Sequence, residues 1–194
     1  MEPAAPRGKA RRKRLVEAAL AVIGRVGPDG LTHRLVAAEA GVPLAATTYW
    51  FASKEEIVFE AFAHAAQRDI ANLDAYTEAS ASWSRDDVAG ELARIAIGAL
   101  TQDRATTVLD YGLWIEAARR PELRPLAEDW SDACRRFFAS ILATCAASPA
   151  PDDARLLAAA FDGLLMGQLA RAHPEDEAQL TALLERLVSA FLDD

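Results

Sequence analysis

Thr32-His33-Arg34-Leu35-Val36-Ala37-Ala38-Glu39-Ala40-Gly41-Val42-Pro43-Leu44-Ala45-Ala46-Thr47-Thr48-Tyr49-Trp50 is the stretch on which the fold turns. Thr32 offers a side-chain oxygen that can accept from a free amide of a first helical turn. Val36, Ala37 and Ala40 follow at helical spacing, and Gly41 suits the left-handed residue just past a helix end. After only two or three residues a second, very short helix is predicted, from Pro43 or Leu44 to about Trp50. Small inward residues let the two helices cross closely, with Val42 plugging the junction. The spacing therefore predicts a helix-turn-helix, whose second helix keeps its outward side chains free.

Upstream, residues 1–8, with Pro3, Pro6 and Gly8, read as a flexible basic arm. From Lys9 the apolar period turns helical through Leu15, Ala18/Ala19, Val22/Ile23 and Val26, until Gly27-Pro28-Asp29-Gly30 ends it as a turn. Downstream, Ser53-Lys54-Glu55-Glu56 forms a capping box that opens a long fourth helix through Ile57, Phe59, Phe62, Ala66 and Ile70. Five further helices are predicted over about 85–100, 104–119, 121–147, 152–173 and 175–192. Ala (43) and Leu (23) outnumber Val, Ile and Thr together (25), which favours helix over strand throughout. The expected fold is all-α: a basic arm (1–8), a three-helix module (9–53) and a larger helical domain (54–194) reached through the long helix.

The same residues exclude several function classes. No apolar run approaches the roughly 18 residues needed to cross a bilayer, and the N-terminus lacks the apolar core of a secretory signal. Cys134 and Cys145 stand 11 residues apart; in one helix that is a rise of about 16 Å, too far for a disulfide, and a reducing cytoplasm fits. His33, His64 and His173 are scattered, so neither a metal site nor a cofactor is expected. No nucleophile elbow, phosphate loop or dinucleotide fingerprint occurs, and an enzyme is not expected. Asp86-Asp87 and Asp152-Asp153 open helices, where the macrodipole favours them.

Charge is divided unevenly. The chain carries −8, yet residues 1–56 hold +3 and residues 57–194 hold −11. Arg7, Lys9, Arg11, Arg12, Lys13 and Arg14 face only Glu2 among the first 14 residues. Such asymmetry points to a polyanion-facing module on an acidic body.

The segments Gly30-Leu31-Thr32-His33-Arg34, Ala40-Gly41-Val42 and Phe51-Ala52-Ser53-Lys54-Glu55-Glu56 resemble the DNA-binding module of the TetR family of transcriptional regulators. The resemblance covers about residues 9–60. It implies a homodimer that binds a palindromic double-stranded DNA operator, usually as a repressor released by a small molecule. It assigns Thr32, His33 and Arg34 to the DNA face of the second helix. Leu44, Ala45, Ala46, Thr47 and Thr48 become the recognition helix, Tyr49 and Trp50 its backbone-facing end, and Lys54 a phosphate contact. The family's usual first tyrosine in this helix is a threonine here, which leaves Thr48 or Tyr49 to supply the phosphate-contacting hydroxyl. The predicted recognition helix also lacks Asn, Gln, Arg and Lys, so sequence must be read through thymine methyls, hydroxyls, Arg34 and DNA shape.

In the acidic body, Trp83, Tyr111, Trp114, Trp130 and Phe137 are candidates to line an apolar small-molecule cavity, with Asp110, Glu116 or Gln168 as an anchor. Ala159, Gly163 and Gly167 recur every four residues, and Leu184, Leu187 and Phe191 belong to an apolar stripe on the last helix. Together these form a candidate dimer interface of the four-helix kind. The competing expectation is a helical ligand-binding or protein-interaction module without specific DNA binding.

Overall fold

The structure, a computed structural model, describes residues 5–102, 104–145, 150, 152–171 and 177–191. Its helices are α1 (Ala5–Gly30), α2 (His33–Ala40), α3 (Leu44–Trp50), α4 (Lys54–Ser80), α5 (Val88–Thr101), α6 (Arg104–Arg119), α7 (Arg124–Cys145), α8 (Asp153–Leu169) and α9 (Glu177–Ser189). A 3-10 turn, Pro121–Leu123, leads into α7, and no strand occurs among the described residues. The all-α expectation holds.

Several boundaries differ from the sequence expectation. Helix α1 begins at Ala5 rather than Lys9, so residues 5–8 of the expected arm are helical. Pro6 is tolerated because a first turn does not use its missing N–H. At the other end, Gly27 breaks the helix with φ 72° and ψ 167°, a conformation essentially confined to glycine, and Pro28 follows it. The expected turn is thus real, although helical geometry resumes up to Gly30. Helix α5 starts at Val88 instead of 85, because Asp87 Oδ2 accepts from the amide (3.0 Å) and hydroxyl (2.6 Å) of Ser84 and closes a turn there. Those two bonds hold the Asp87 carboxyl below its ordinary pKa.

The chain divides into two compact units. One comprises the residues up to Gln67 together with Val108–Ala127; the other comprises Arg68–Thr107 together with the residues from Glu128 on. The first unit therefore does not stop at residue 53. Its core joins Leu15, Ala19 and Val22 of α1, Leu31, Val36 of α2, Phe51, and Ile57, Ala61 and Phe62 of α4. Leu113 and Ala117 of α6, with Leu123, complete it. Burying these side chains contributes roughly 1.5–3 kcal/mol for each large one, before chain entropy is charged.

In the second unit, Leu92, Ala93 and Ala96 of α5 pack with α9, which contributes Leu180, Leu184 and Val188, and with α8, which contributes Leu157, Phe161 and Leu165. An aromatic chain runs through it. Phe137 meets Trp83 edge-on at 6.2 Å, Tyr76 at 6.1 Å and Phe138 at 5.0 Å, and Phe138 meets Phe161 at 5.4 Å. Buried Ser80 at the end of α4 and half-buried Ser140 of α7 share a hydroxyl hydrogen bond of 2.7 Å.

Helix α7 contains both cysteines, which keeps their backbones a helix-length apart. Cys134 is buried, and that burial, with Asp162 and Asp69 adding to it, pushes its thiol up to about 12. A thiol so placed behaves as a small hydrophobe. In a Cys145→Ser chain, Cys134 should resist a thiol-specific reagent at neutral pH and react only once denaturant is added. Stoichiometric labelling of the folded protein would show that the site is open.

Candidate nucleic-acid interface

The first unit builds its outward surface from the two short helices. Thr32 sits in extended geometry, and its Oγ1 accepts from the Leu35 amide at 3.2 Å, the predicted cap. Helix α2 buries Val36, Ala37 and Ala40, as their spacing requires. It ends at Gly41, whose φ of 63° and ψ of 40° are left-handed. There the Gly41 amide donates to Ala38 O (3.2 Å) and the Val42 amide to Ala37 O (3.0 Å). Arg14 Nη2 donates to a further terminal carbonyl, that of Ala40, at 2.9 Å. These bonds satisfy carbonyls that a helix end leaves orphaned.

Helix α3 then runs for two turns. The Ala46 amide bonds Pro43 O at 2.9 Å, and the Phe51 amide closes the far end on Thr47 O at 2.9 Å. Beyond it, Ser53 Oγ accepts from the Glu56 amide at 3.1 Å, while Glu56 Oε2 accepts from the Ala52 amide at 2.6 Å. The capping box is present, with its return bond made one residue earlier than the usual partner.

The predicted DNA-face residues divide into two groups. Arg34, Leu44, Ala45 and Thr48 are exposed, and Tyr49 is 79% exposed. Thr32 is exposed too, with its hydroxyl engaged in the cap; His33 and Ala46 are half-buried. Three others make contacts within the unit. Thr47 is fully buried, and its hydroxyl donates to Leu44 O at 2.8 Å. It lies four residues before buried Phe51, on the same side at helical spacing. Trp50 packs against the core of the unit, with Tyr49 standing edge-on to it at 5.2 Å. Lys54 Nζ donates one of its three N–H groups to Asp29 O at 2.6 Å, which anchors its ammonium at the α1–α2 turn.

Sequence reasoning also missed how the cations are used. Arg12 lies over the Phe51 ring at 5.6 Å and pairs with Glu60 at 2.7 Å, so it packs α1 against the start of α4. Arg14 caps α2. Arg120, at the end of α6, donates to Glu116 Oε2 at 2.8 Å and to Asp29 Oδ1 at 2.5 Å. These bonds raise the Arg120 pKa further and tie α6 to the turn that Lys54 also holds. No local signal marks these roles, since Arg14 lies 26 residues from Ala40 and Arg120 lies 91 from Asp29.

The other candidate residues are shared between the two units. Trp83, Trp130 and Phe137 belong to the second unit, whereas Tyr111 and Trp114 belong to the first, where their rings lie 5.8 Å apart and Trp114 packs on the core. Among the suggested anchors, Glu116 is buried in the first unit on Arg120, while Gln168 is buried in the second and Asp110 lies in the first. Ala159, Gly163 and Gly167 are exposed on α8, and Leu187 and Phe191 are half-buried. Leu184, at 1% exposure, faces its own unit's core and is not an interface residue.

Comparison with known proteins places these features in context. The family model described as "Bacterial regulatory proteins, tetR family" matches residues 15–61, and that described as "Tetracyclin repressor-like, C-terminal domain" matches residues 83–190. The chain is 32% identical over 182 residues to the HTH-type transcriptional regulator BetI of Agrobacterium fabrum, covering 90% of this chain and 84% of that protein. It is similar to the multidrug binding protein EbrR complexed with ethidium (38% identity, TM-score 0.69, 91% of this chain and 98% of that one). EbrR is also known in complex with proflavin and with malachite green. A TetR-family member from Streptomyces coelicolor A3 shows 37% identity and a TM-score of 0.73, covering 91% and 97% of the two chains.

Gly41→Ala should destabilise the protein by about 1–2 kcal/mol, since any Cβ is strained at this left-handed position. Urea unfolding measures it; a change below roughly 0.5 kcal/mol, the range of a neutral surface substitution, would mean that the turn does not depend on glycine.

Proposed function

This chain belongs to the tetR family of transcriptional regulators, with an N-terminal DNA-binding and a C-terminal ligand-binding domain, and from that premise we propose that it is a dimeric repressor released from a palindromic operator by a small aromatic or hydrophobic molecule. The observation that carries the DNA part is the outward face of α2 and α3. Arg34, Leu44, Ala45, Thr48 and Tyr49 are exposed on a module of net positive charge, held by caps that use none of their side-chain charge. A major groove admits a helix presented in this way. Operator DNA places the protein in the cytoplasm; among the described residues no helix is long and apolar enough to cross a membrane.

Two features support the rest. Helix α8 exposes Leu156 (54%), Ala159, Gly163, Met166 (45%) and Gly167, and a Cβ added at Gly163 or Gly167 would meet nothing within 4 Å. Apolar side chains and bare backbone on one face suit a close helix contact with a second copy, to which half-buried Leu187 of α9 and Phe191, just past its end, add apolar surface. In the second unit, Tyr76, Trp83, Phe137 and Phe138 supply tilted and edge-on rings, an aromatic cluster that suits a flat ligand, and EbrR binds ethidium, proflavin and malachite green. Helix α4 carries residues of both units, so it is the element through which occupancy acts on the DNA face. A ligand does so only by preferring the conformation with badly spaced recognition helices, typically by about 1–3 kcal/mol.

Selection of bound duplexes from a random pool should enrich an inverted repeat whose half-sites lie roughly 34–36 Å, or a multiple of that, apart. Arg34→Ala should weaken binding and flatten the salt slope by about one unit. Equal affinity for the enriched and a scrambled duplex would refute the regulator reading. The wild type should sediment as a dimer at micromolar concentration. Gly163→Leu should shift it toward monomer through overpacking that costs about 1–3 kcal/mol. A monomeric wild type would refute the dimer.

A further inference from the structure

The outward face of α3 is chemically unusual for a surface that must discriminate base pairs. Its exposed residues are Leu44 (49%), Ala45, Thr48 and Tyr49. None carries an amide or a cation, the groups that make bidentate contacts to adenine or guanine. The two threonine hydroxyls do not fill the gap. Thr47 is buried with its proton on Leu44 O at 2.8 Å, and Thr48 Oγ1 donates to Ala45 O at 3.3 Å. The Thr47 proton is therefore spent within the helix, while the exposed Thr48 hydroxyl makes only that long contact and is a single small polar group. Apart from the Thr48 and Tyr49 hydroxyls toward its end, what α3 offers is an apolar surface, begun by Leu44 and Ala45, the first two residues of the helix. In a major groove the apolar feature that distinguishes one base pair from another is the C5-methyl group of thymine.

We propose that α3 reads its half-site mainly through thymine methyl groups, with Leu44 and Ala45 as the specificity-determining side chains and Tyr49 as the flanking contact. This rests on the regulator reading above. Leu44 is the decisive residue: it is a large apolar side chain, half-exposed at the start of α3, and its burial on DNA gains what a lone methyl-to-methyl contact can supply. Arg34, on α2, then contributes charge, while the choice between bases falls to α3.

The test removes only the methyl. The duplex enriched from a random pool is resynthesised with deoxyuridine in place of each thymidine in turn, leaving every hydrogen-bonding edge unchanged. One or two positions per half-site should lose affinity, roughly fourfold for each contacted methyl and about 15-fold when the symmetry-related pair is changed together, from the value of about 0.8 kcal/mol per buried methylene-sized group. In Leu44→Ala, which removes no core contact, the penalty at the Leu44-contacted position should shrink toward onefold, while the salt slope stays that of the wild type. The inference is overturned if deoxyuridine is tolerated at every position while the wild type still prefers the enriched duplex to a scrambled one; the regulator reading survives that result. It is also overturned, together with the regulator reading, if the wild type shows no preference between those two duplexes.

Discussion

The first unit depends on one backbone constraint, the left-handed conformation of Gly41. A helix cannot reverse its course within two residues unless one of them leaves the right-handed region, and glycine does so at the least cost. With that step made, the Gly41 and Val42 amides close on Ala38 and Ala37, and α3 crosses the small-residue face of α2. Thr47 and Phe51 then turn inward while Leu44, Ala45, Thr48 and Tyr49 remain outside. The chemistry of the outer surface is thus a consequence of where a single φ angle lies.

Cations support this arrangement from behind. Arg12, Arg14, Lys54 and Arg120 each satisfy a carboxylate, a carbonyl or a ring within the unit. Surface ion pairs alone are worth little, about 0–1 kcal/mol each. Of these, only the Arg120–Glu116 pair is mostly buried; the others, whose partners lie far apart in sequence, link segments rather than supply much energy. Asp29 is the shared node: its carbonyl takes Lys54 and its carboxylate takes Arg120, so the α1–α2 turn, the start of α4 and the end of α6 hold together. The net positive charge of the module therefore overstates the charge that it can present to DNA.

The aromatic residues show the same division between pattern and partner. Tyr111 and Trp114 stand at i and i+3, and they do share a helix face. Yet that face belongs to the first unit, while Trp83 and Phe137 join Tyr76 in the second. Both sets are spaced as core helices are spaced. A single chain of helices that enters two cores gives no local sign of where one core ends. For that reason the boundary at residue 53, drawn where the capping box opens α4, misses the first half of α4 and the segment 108–127.

Local physics made much of the protein legible in its sequence. Caps at Thr32 and Ser53, the glycine stops at Gly27 and Gly41, and the 3.6-residue period determined the helices and the helix-turn-helix, because each depends on residues within one turn of one another. The outer face of α3 followed with them. Tertiary structure alone decided which side chains were engaged within the chain itself. Thr47 was buried by the crossing of α3, Lys54 was anchored by Asp29 O, and Leu184 was enclosed by α5. In each case the deciding contact comes from another segment, and no spacing within the helix records which neighbour will cover which face.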